Sequence, residues 1–404
     1  MGKKQRRRQL AKERFLSSEQ SPSSSSSAAQ ESTAVPSHHG HEPHSSPMSS
    51  SSSHSSSFHH SRFPGLAVLE GIYDKHYKKL LVFPVLLLLL AFVQIGLQTA
   101  ATGDFIHKGV SLKGGITVTV PTTEGDVVAL EEALLQQFPG QDIGVRALTS
   151  NGALSGLTIE TDLPRVADET YQDRFVSAIE DTLQVERELF SIEAIGSSLG
   201  ENFFRQTIQT LYAAFLFMGM VVFLYFGVGA KYKVASVLFT LIAAFLILSN
   251  SGTVWMWVSY VIGIGLLWMY LKTSIPSIAV ILAAFSDIVV TIAIVNLLGI
   301  KISTAGIAAF LMLIGYSVDT DILLSTRVLK RKSGTVLDGV YSAVKPGLTM
   351  TFTTIVAVTV GLIFSKSEVL SQIMLIILIG LIVDLVNTWI QNVGIIRWHF
   401  EKQG

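Results

Sequence analysis

The chain has 404 residues, 49% of them apolar, and its 30 basic and 30 acidic residues cancel to a formal charge of zero. A mean hydropathy of +0.48 exceeds what a soluble domain of this length needs for its core, so the composition is that of a membrane protein. There is no cysteine, which excludes disulfides and thiolate metal sites.

Residues 1–62 carry no apolar periodicity and read as a disordered tail. Its head sets Lys3, Lys4, Arg6, Arg7, Arg8, Lys12 and Arg14 against a single acid, Glu13. That balance suits anionic lipid headgroups or ribosomal RNA, or serves only as a topology signal. Seven histidines follow (His38, His39, His41, His44, His54, His59, His60), too irregularly spaced among serines to define a metal site. The first apolar run begins near Leu80, beyond the usual window of a cleavable signal, so the amino terminus is expected in the cytosol.

A first span is expected over 79–99, with Lys75, Lys78 and Lys79 marking its cytosolic end. Residues 100–205 then alternate short strands and helices. Ile116–Val120, 143–149, 154–161 and 189–195 read as strands; 126–138 and a segment opened by Pro164 and running to Leu183 read as helices. The order strand, helix, strand, strand, helix, strand predicts a ferredoxin-like α+β sandwich. It shows no nucleophile, base and orienter at recognisable spacing, so no enzyme is expected.

Further spans are expected over 206–228, 233–250, 254–271, 276–298, 303–324, 348–365 and 370–396, the second and third of these forming a hairpin within 229–272. The fold class is thus a polytopic α-helical membrane protein of about eight spans, ending in a four-span bundle over 273–400. Alternate threading puts Lys231, Lys233, Lys272, Arg327 to Lys332, Lys345, Arg397 and Lys402 inside and only Lys301 and Lys366 outside among the short loops. Both termini are then cytosolic, in a multi-pass cell-membrane protein with its soluble domain on the exported side.

Four acids in the bundle are proton-path candidates: Asp287, Asp319, Asp321 and Asp384. An ionisable group inside a span is a functional hypothesis by default. Asp319 and Asp321 are two residues apart, roughly 200° around a helix, so one faces the path and the other does not. Supporting polar residues are Asn387, Thr351, Thr354 and Tyr316, with the threonines available for interhelical hydrogen bonds. Gly114 and Gly115 are hinge candidates below the first strand. The reading offers no metal site, no cofactor beyond a proton gradient, and no phosphate-binding Gly-rich loop.

The run Ile314-Gly315-Tyr316-Ser317-Val318-Asp319-Thr320-Asp321, leading into Arg327 and Arg331, resembles the fourth family span of SecF in its archaeal form. The SecD/SecF family belongs to the resistance-nodulation-division superfamily, and the resemblance covers roughly 66–400. Val110-Ser111-Leu112-Lys113-Gly114-Gly115 resembles the family's Asp-x-x-Gly-Gly motif, with Ser111 in place of the acid; Ile195–Glu201 resembles its link into the second span. Ser286, before Asp287, stands where bacterial members carry His, and the hairpin within 229–272 is additional to the usual six spans.

The resemblance implies an accessory subunit of the Sec translocon that acts with SecD, the SecY complex and an unfolded secretory polypeptide, using the proton motive force. It favours Asp319 over Asp321 as the path acid, because Asp319 matches an acid of SecD, and leaves Asp321 to pair with Arg327 or Lys330. Two other functions fit the composition: an exporter of lipids or small molecules on the same scaffold, and a non-transporting translocon scaffold whose acids only hold helices together.

Overall fold

The structure, a computed structural model, describes residues 76–150, 153–162, 169–249, 252–329, 336–365 and 367–401. The expectations for the tail 1–62, Lys75, Pro164, the cluster from Lys330 to Lys332, Lys366 and Lys402 lie outside the described residues. Among the described residues, eight helices are long and apolar enough to cross a membrane by length and composition.

Helix α1 (His76–Thr102) leads into a single turn, α2 (Val110–Lys113), and then a sheet domain. Its elements are β1 (Gly115–Val120), α3 (Val127–Gln137), β2 (Ile143–Ser150), β3 (Ala153–Thr161), α4 (Glu169–Leu183) and β4 (Ser191–Ile195). The four strands are antiparallel neighbours in the order β2-β3-β1-β4. Alternation of side chains along each strand sends Ile116, Val118, Val120, Leu157 and Ile159 to one face, where they pack on Leu130 and Leu134 of α3 and Phe175 and Ile179 of α4. Asp126 caps α3 by accepting from the backbone N–H of Val128 and Ala129, at 2.9 and 3.3 Å. Among the described residues no helix of the domain covers the other face, which carries Thr117, Thr119, Arg146 and Glu160 over the ends of the membrane helices.

The bundle consists of α5 (Ser197–Phe226), α6 (Ala230–Leu248), α7 (Thr253–Thr273), α8 (Ile275–Leu297), α9 (Thr304–Leu329), α10 (Val336–Phe364), α11 (Glu368–Val386), a π-helical turn (Asn387–Asn392) and α12 (Val393–Glu401). Helix α8 is its axis. Val280, Ile288, Ile292 and Val295 of α8 pack with Met218 and Val222 of α5, Phe310 and Ile314 of α9, and Ile377 and Leu381 of α11. Helix α1 rides outside on α8 through Ala91, Val289, Val290 and Ala293.

Two helices begin earlier than their hydropathy suggests. Helix α5 starts at Ser197 instead of 206, because its first turns are held by the sheet domain and need no apolar surroundings. Helix α10 starts at Val336 instead of 348, with Val340 and Ala343 packed on Leu324 and Val328, and it carries Pro346 in its interior. Neighbouring helices in a bundle tolerate such a proline by re-satisfying the freed backbone.

The hairpin α6–α7 lies at the edge, against α5. Tyr212 of α5 donates to the Ser259 carbonyl at 2.9 Å, Ser259 donates to the Ala243 carbonyl at 2.8 Å, and Phe223 stacks on Tyr270 at 4.4 Å between centroids. Its outer surface exposes Leu238, Phe245, Trp257, Ile264 and Trp268, a face suited to lipid or a neighbouring apolar protein.

Several contacts hold the sheet domain to the bundle. Gly109 N–H donates to the Ile302 carbonyl at 2.8 Å, and Ile302 N–H to the His107 carbonyl at 2.7 Å. Asn296 donates to the Phe105 carbonyl at 2.9 Å, and Ser111 Oγ accepts from Thr304 N–H, an orphan donor at the start of α9, at 3.1 Å. Lys301 and Lys113 both pair with Asp142, at 3.1 and 3.6 Å, and Lys113 also with Asp162, at 2.8 Å. Burial pushes the Asp142 carboxyl up, but Lys301 and then Lys113 outweigh it and hold it below the usual carboxylate range.

The hinge candidates are close contacts. Gly114 sits at φ +88°, and a Cβ there would stand 2.4 Å from Ser197 Cα; one on Gly115, at φ +155°, would stand 2.2 Å from the Thr161 carbonyl oxygen. Gly114→Ala should therefore cost about 2–4 kcal/mol, whereas Gly140→Ala, with φ +85° but open space around it, should cost about 1 kcal/mol. Thermal unfolding of the detergent-purified protein measures both.

Because the native Asp142 carboxyl titrates below its unfolded value, the stability from its ion pairs is present above about pH 4 and is lost as pH falls through the native value. These pairs are partly exposed, so the contribution is at most about 1 kcal/mol. Lys301→Gln should flatten the acid limb of the thermal-stability profile, and an unchanged limb would show that Lys301 does not carry it.

Candidate functional site

Three of the four acids converge in the core of the bundle. Asp287, Asp321 and Asp384 are 0%, 0% and 1% exposed, and come from α8, α9 and α11. Asp287 Oδ2 accepts from Ser317 Oγ of α9 at 2.5 Å, and Oδ1 accepts from Asn387 Nδ2 at 2.7 Å, so this carboxyl joins three elements. Asp321 Oδ1 accepts from Thr388 Oγ1 at 2.9 Å and Asn392 Nδ2 at 2.7 Å. Asp384 Oδ1 shares the same Thr388 hydroxyl at 3.0 Å.

The π-helical turn supplies most of the donors. Asn387, Thr388, Gln391 and Asn392 lie in its six residues, and Gln391 Nε2 donates to Ser286 Oγ at 3.0 Å. Widened turns of this kind recur at functional positions, where they re-aim side chains along a helix. Close packing keeps the turn in place: a Cβ on Gly347 of α10 would stand 2.7 Å from the Trp389 ring, and one on Gly380 of α11 2.3 Å from Leu313.

Hydrogen counting limits what the cluster can do. A hydroxyl has one proton, so Thr388 donates to Asp321 or to Asp384 but not to both. The acid left over bonds to Thr388 only by bringing a proton of its own. Asp321 Oδ2, Asn387 Oδ1 and Asn392 Oδ1 have no hydrogen-bond partner among the described residues, so the cluster has spare acceptor capacity. Among the described residues, no Lys, Arg or His forms an ion pair with any of the three carboxyls.

Asp319 is outside the cluster. It is exposed, on a stripe of α9 with Met312, Gly315 and Tyr316. Asp319, favoured over Asp321 as the path acid, thus faces away from the other three elements of the cluster: packing of Ser317, Val318 and Asp321 on α8 and α11 sets the phase of α9, and the roughly 200° between the two acids turns Asp319 out. Nor does Asp321 pair with Arg327, whose guanidinium donates to the Ser342 carbonyl at 3.0 Å; Lys330 lies outside the described residues. Thr351 is buried and Thr354 half-buried, but their hydroxyls donate to Gly347 and Met350 of their own helix, not between helices. Tyr316 is 43% exposed and does not reach the cluster.

Ser317, Thr388 and Gln391 were not singled out in the sequence as site residues. The available signal was the pair of polar dipeptides Asn387-Thr388 and Gln391-Asn392, four residues apart in an otherwise apolar run.

Residues 247–402, which include the whole cluster, match the family model described as protein export membrane protein SecD/SecF, C-terminal. The protein-export membrane protein SecF of Pyrococcus furiosus is 31% identical over 331 residues, covering 81% of this chain and 92% of that one. The chain belongs to the SecF family. The SecF of Methanocaldococcus jannaschii is also 31% identical, over 81% of this chain and 97% of its own. The crystal structure of SecDF, a translocon-associated membrane protein from Thermus thermophilus, superposes with a TM-score of 0.52 at 18% identity. That match covers 82% of this chain and 42% of the SecDF chain, and shows a shared fold.

Replacing Thr388 by Val removes the hydroxyl shared by Asp321 and Asp384. The variant should lose about 0.6–2 kcal/mol. Thermal unfolding in detergent checks this, and a loss near zero would mean that the hydroxyl holds neither acid.

Proposed function

We propose that this chain assists protein export across the cell membrane as a SecF-type subunit working with SecD beside the SecY translocon. Proton re-entry is its energy source, and it needs no cofactor and catalyses no bond-making chemistry. The observation that carries the proton-coupled reading is the cluster of Asp287, Asp321 and Asp384, in which one Thr388 hydroxyl serves two acids. Each proton that arrives or leaves changes which hydrogen bonds among α8, α9 and the π-helical turn can be made. A set of helices with two bonding arrangements, biased by protonation, is sufficient as a switch.

The eight apolar helices are read as eight crossings, and the sheet domain as ferredoxin-like and on the exported side. Lys231, Lys233, Lys272, Arg327, Lys345 and Arg397 then fall on the cytosolic side, with both termini. The basic head of the tail is read as a contact for anionic lipid or the ribosome. Asp319 supports the pairing with SecD. An aspartate in the middle of a span costs at least about 2.5 kcal/mol against lipid, so the α9 stripe is better covered by another protein helix. The emerging unfolded polypeptide is the cargo, and the sheet domain limits its backsliding.

The test is export of a secreted reporter in cells carrying Asp321→Asn, with membrane level and co-purification with SecD followed in parallel. An Asn keeps an acceptor for Thr388 and Asn392 but cannot exchange protons. Export should fall about ten-fold or more with level and assembly unchanged. Unchanged export would instead make the cluster adhesive and the protein a scaffold.

A further inference from the structure

Ser325 is fully buried, and its hydroxyl has no hydrogen-bond partner among the described residues. It lies on α9 four positions after Asp321, one helical turn on and on the same face. A serine buried in a helix can donate back to the carbonyl four residues earlier, as Ser286 does to Leu282 at 2.8 Å. Ser325 makes no such bond, so its hydroxyl stands unused on the face that carries Asp321.

Two more oxygens beside it are unserved. Asp321 uses Oδ1 twice, for Thr388 and Asn392, and Oδ2 not at all; Asn392 gives Nδ2 to Asp321 at 2.7 Å and leaves Oδ1 free. Both residues are 0% exposed. Buried polar atoms are nearly always satisfied, and each exception asks for an explanation in strain, water or a bound ion. Here the shortage is of one kind. A carboxylate oxygen, an amide oxygen and a hydroxyl oxygen all want a positive partner, and among the described residues no Lys, Arg or His forms an ion pair with Asp321.

We infer that Asp321 Oδ2, Asn392 Oδ1 and Ser325 Oγ are ligands of one monovalent cation, Na+, bound inside the bundle. Hard cations take oxygen ligands of this kind, and irregular helix segments within membranes are places where such ions are held. Among the described residues no three of His, Asp and Glu are grouped to hold a metal ion, so the set is one carboxylate with neutral oxygens. A carboxylate and Na+ together are neutral, whereas a divalent ion would leave a net charge in apolar surroundings, which is costly. Close packing at the turn, where a Cβ on Gly347 would stand 2.7 Å from the Trp389 ring, favours the smaller Na+ over K+. The ion ties α9 to the π-helical turn at the contact that Thr388 and Asn392 already bridge. Its binding does not depend on the export reading, but its part in export does, because Na+ on Asp321 stands where that reading places a proton.

The experiment follows thermal unfolding of the detergent-purified full chain, and its retention of radioactive sodium, in NaCl, KCl or choline chloride at equal ionic strength. Saturating Na+ should raise the unfolding midpoint by about 3 °C or more over K+ and choline, with about one Na+ retained per chain. Ser325→Ala removes a hydroxyl that no described residue uses, so the midpoint in choline should hold while Na+ affinity falls about five-fold. Asp321→Asn should lose the Na+ shift. Equal shifts in Na+ and K+, as bulk salt or a buried water would give, overturn the site; so does the absence of retained sodium, or a Na+ shift that survives either variant. The two readings fail separately. If Asp321→Asn lowers export but the parent retains no Na+, only the ion site is wrong; if Na+ binds at these ligands and Asp321→Asn exports normally, the ion is structural and the proton-coupled reading goes.

Discussion

The arrangement depends on one constraint: inside an apolar bundle, every polar group must find its partner in the protein. Asp287 meets that constraint at both oxygens, through Ser317 and Asn387, and Asp321 meets it at Oδ1, through Thr388 and Asn392. Those bonds fix the rotation of α9 against α8, demand a helical turn that delivers four polar side chains in six residues, and leave α11 no choice but to pass within reach of both. Leucine packing alone would leave helix phase weakly specified, since lipid is as apolar as the core it would replace. Here the polar contacts decide the phase, and the glycines at 347 and 380 let the helices come close enough to make them.

The same helices reach the sheet domain. Thr304, the first residue of α9, is bonded to Ser111, and Asp321 lies seventeen positions further on, about 26 Å along the axis. On the last membrane helix Gln372 donates to the Lys301 carbonyl at 2.6 Å and accepts from Ser303, and Asp384 follows twelve positions later, about 18 Å away. Position 111 is a serine. The hydroxyl still serves as a cap for α9, which accounts for a polar residue at that place without a charge.

Much of the sheet domain was legible in the sequence. The period of two in Ile116–Val120 and the helical periodicity of 126–138 identify their elements, because both patterns are local properties. The second span was harder. Glu201, Asn202 and Arg205 read as soluble, yet they continue α5 because the sheet domain packs on it. In the bundle, composition marked Asp287, Asp321 and Asp384 as unusual but could not say which of Asp319 and Asp321 points inward, since that depends on neighbours far away in the chain. The π-helical turn was illegible for a related reason: nothing local distinguishes a widened turn from an ordinary one until its donors are seen to meet acids on other helices.

Helix α5 is long and is held at both ends. Its 30 residues make a single rod of about 45 Å, longer than the hydrocarbon it would cross. One end is seated on Gly114, where Gly200 admits no side chain, and the other is pinned by Tyr225, which accepts a hydrogen bond from Thr326 of α9. A rod of that length tilting by 10° about one end carries the other through about 8 Å. A tilt of α5 therefore carries the sheet domain with it and needs no hinge in the connecting chain.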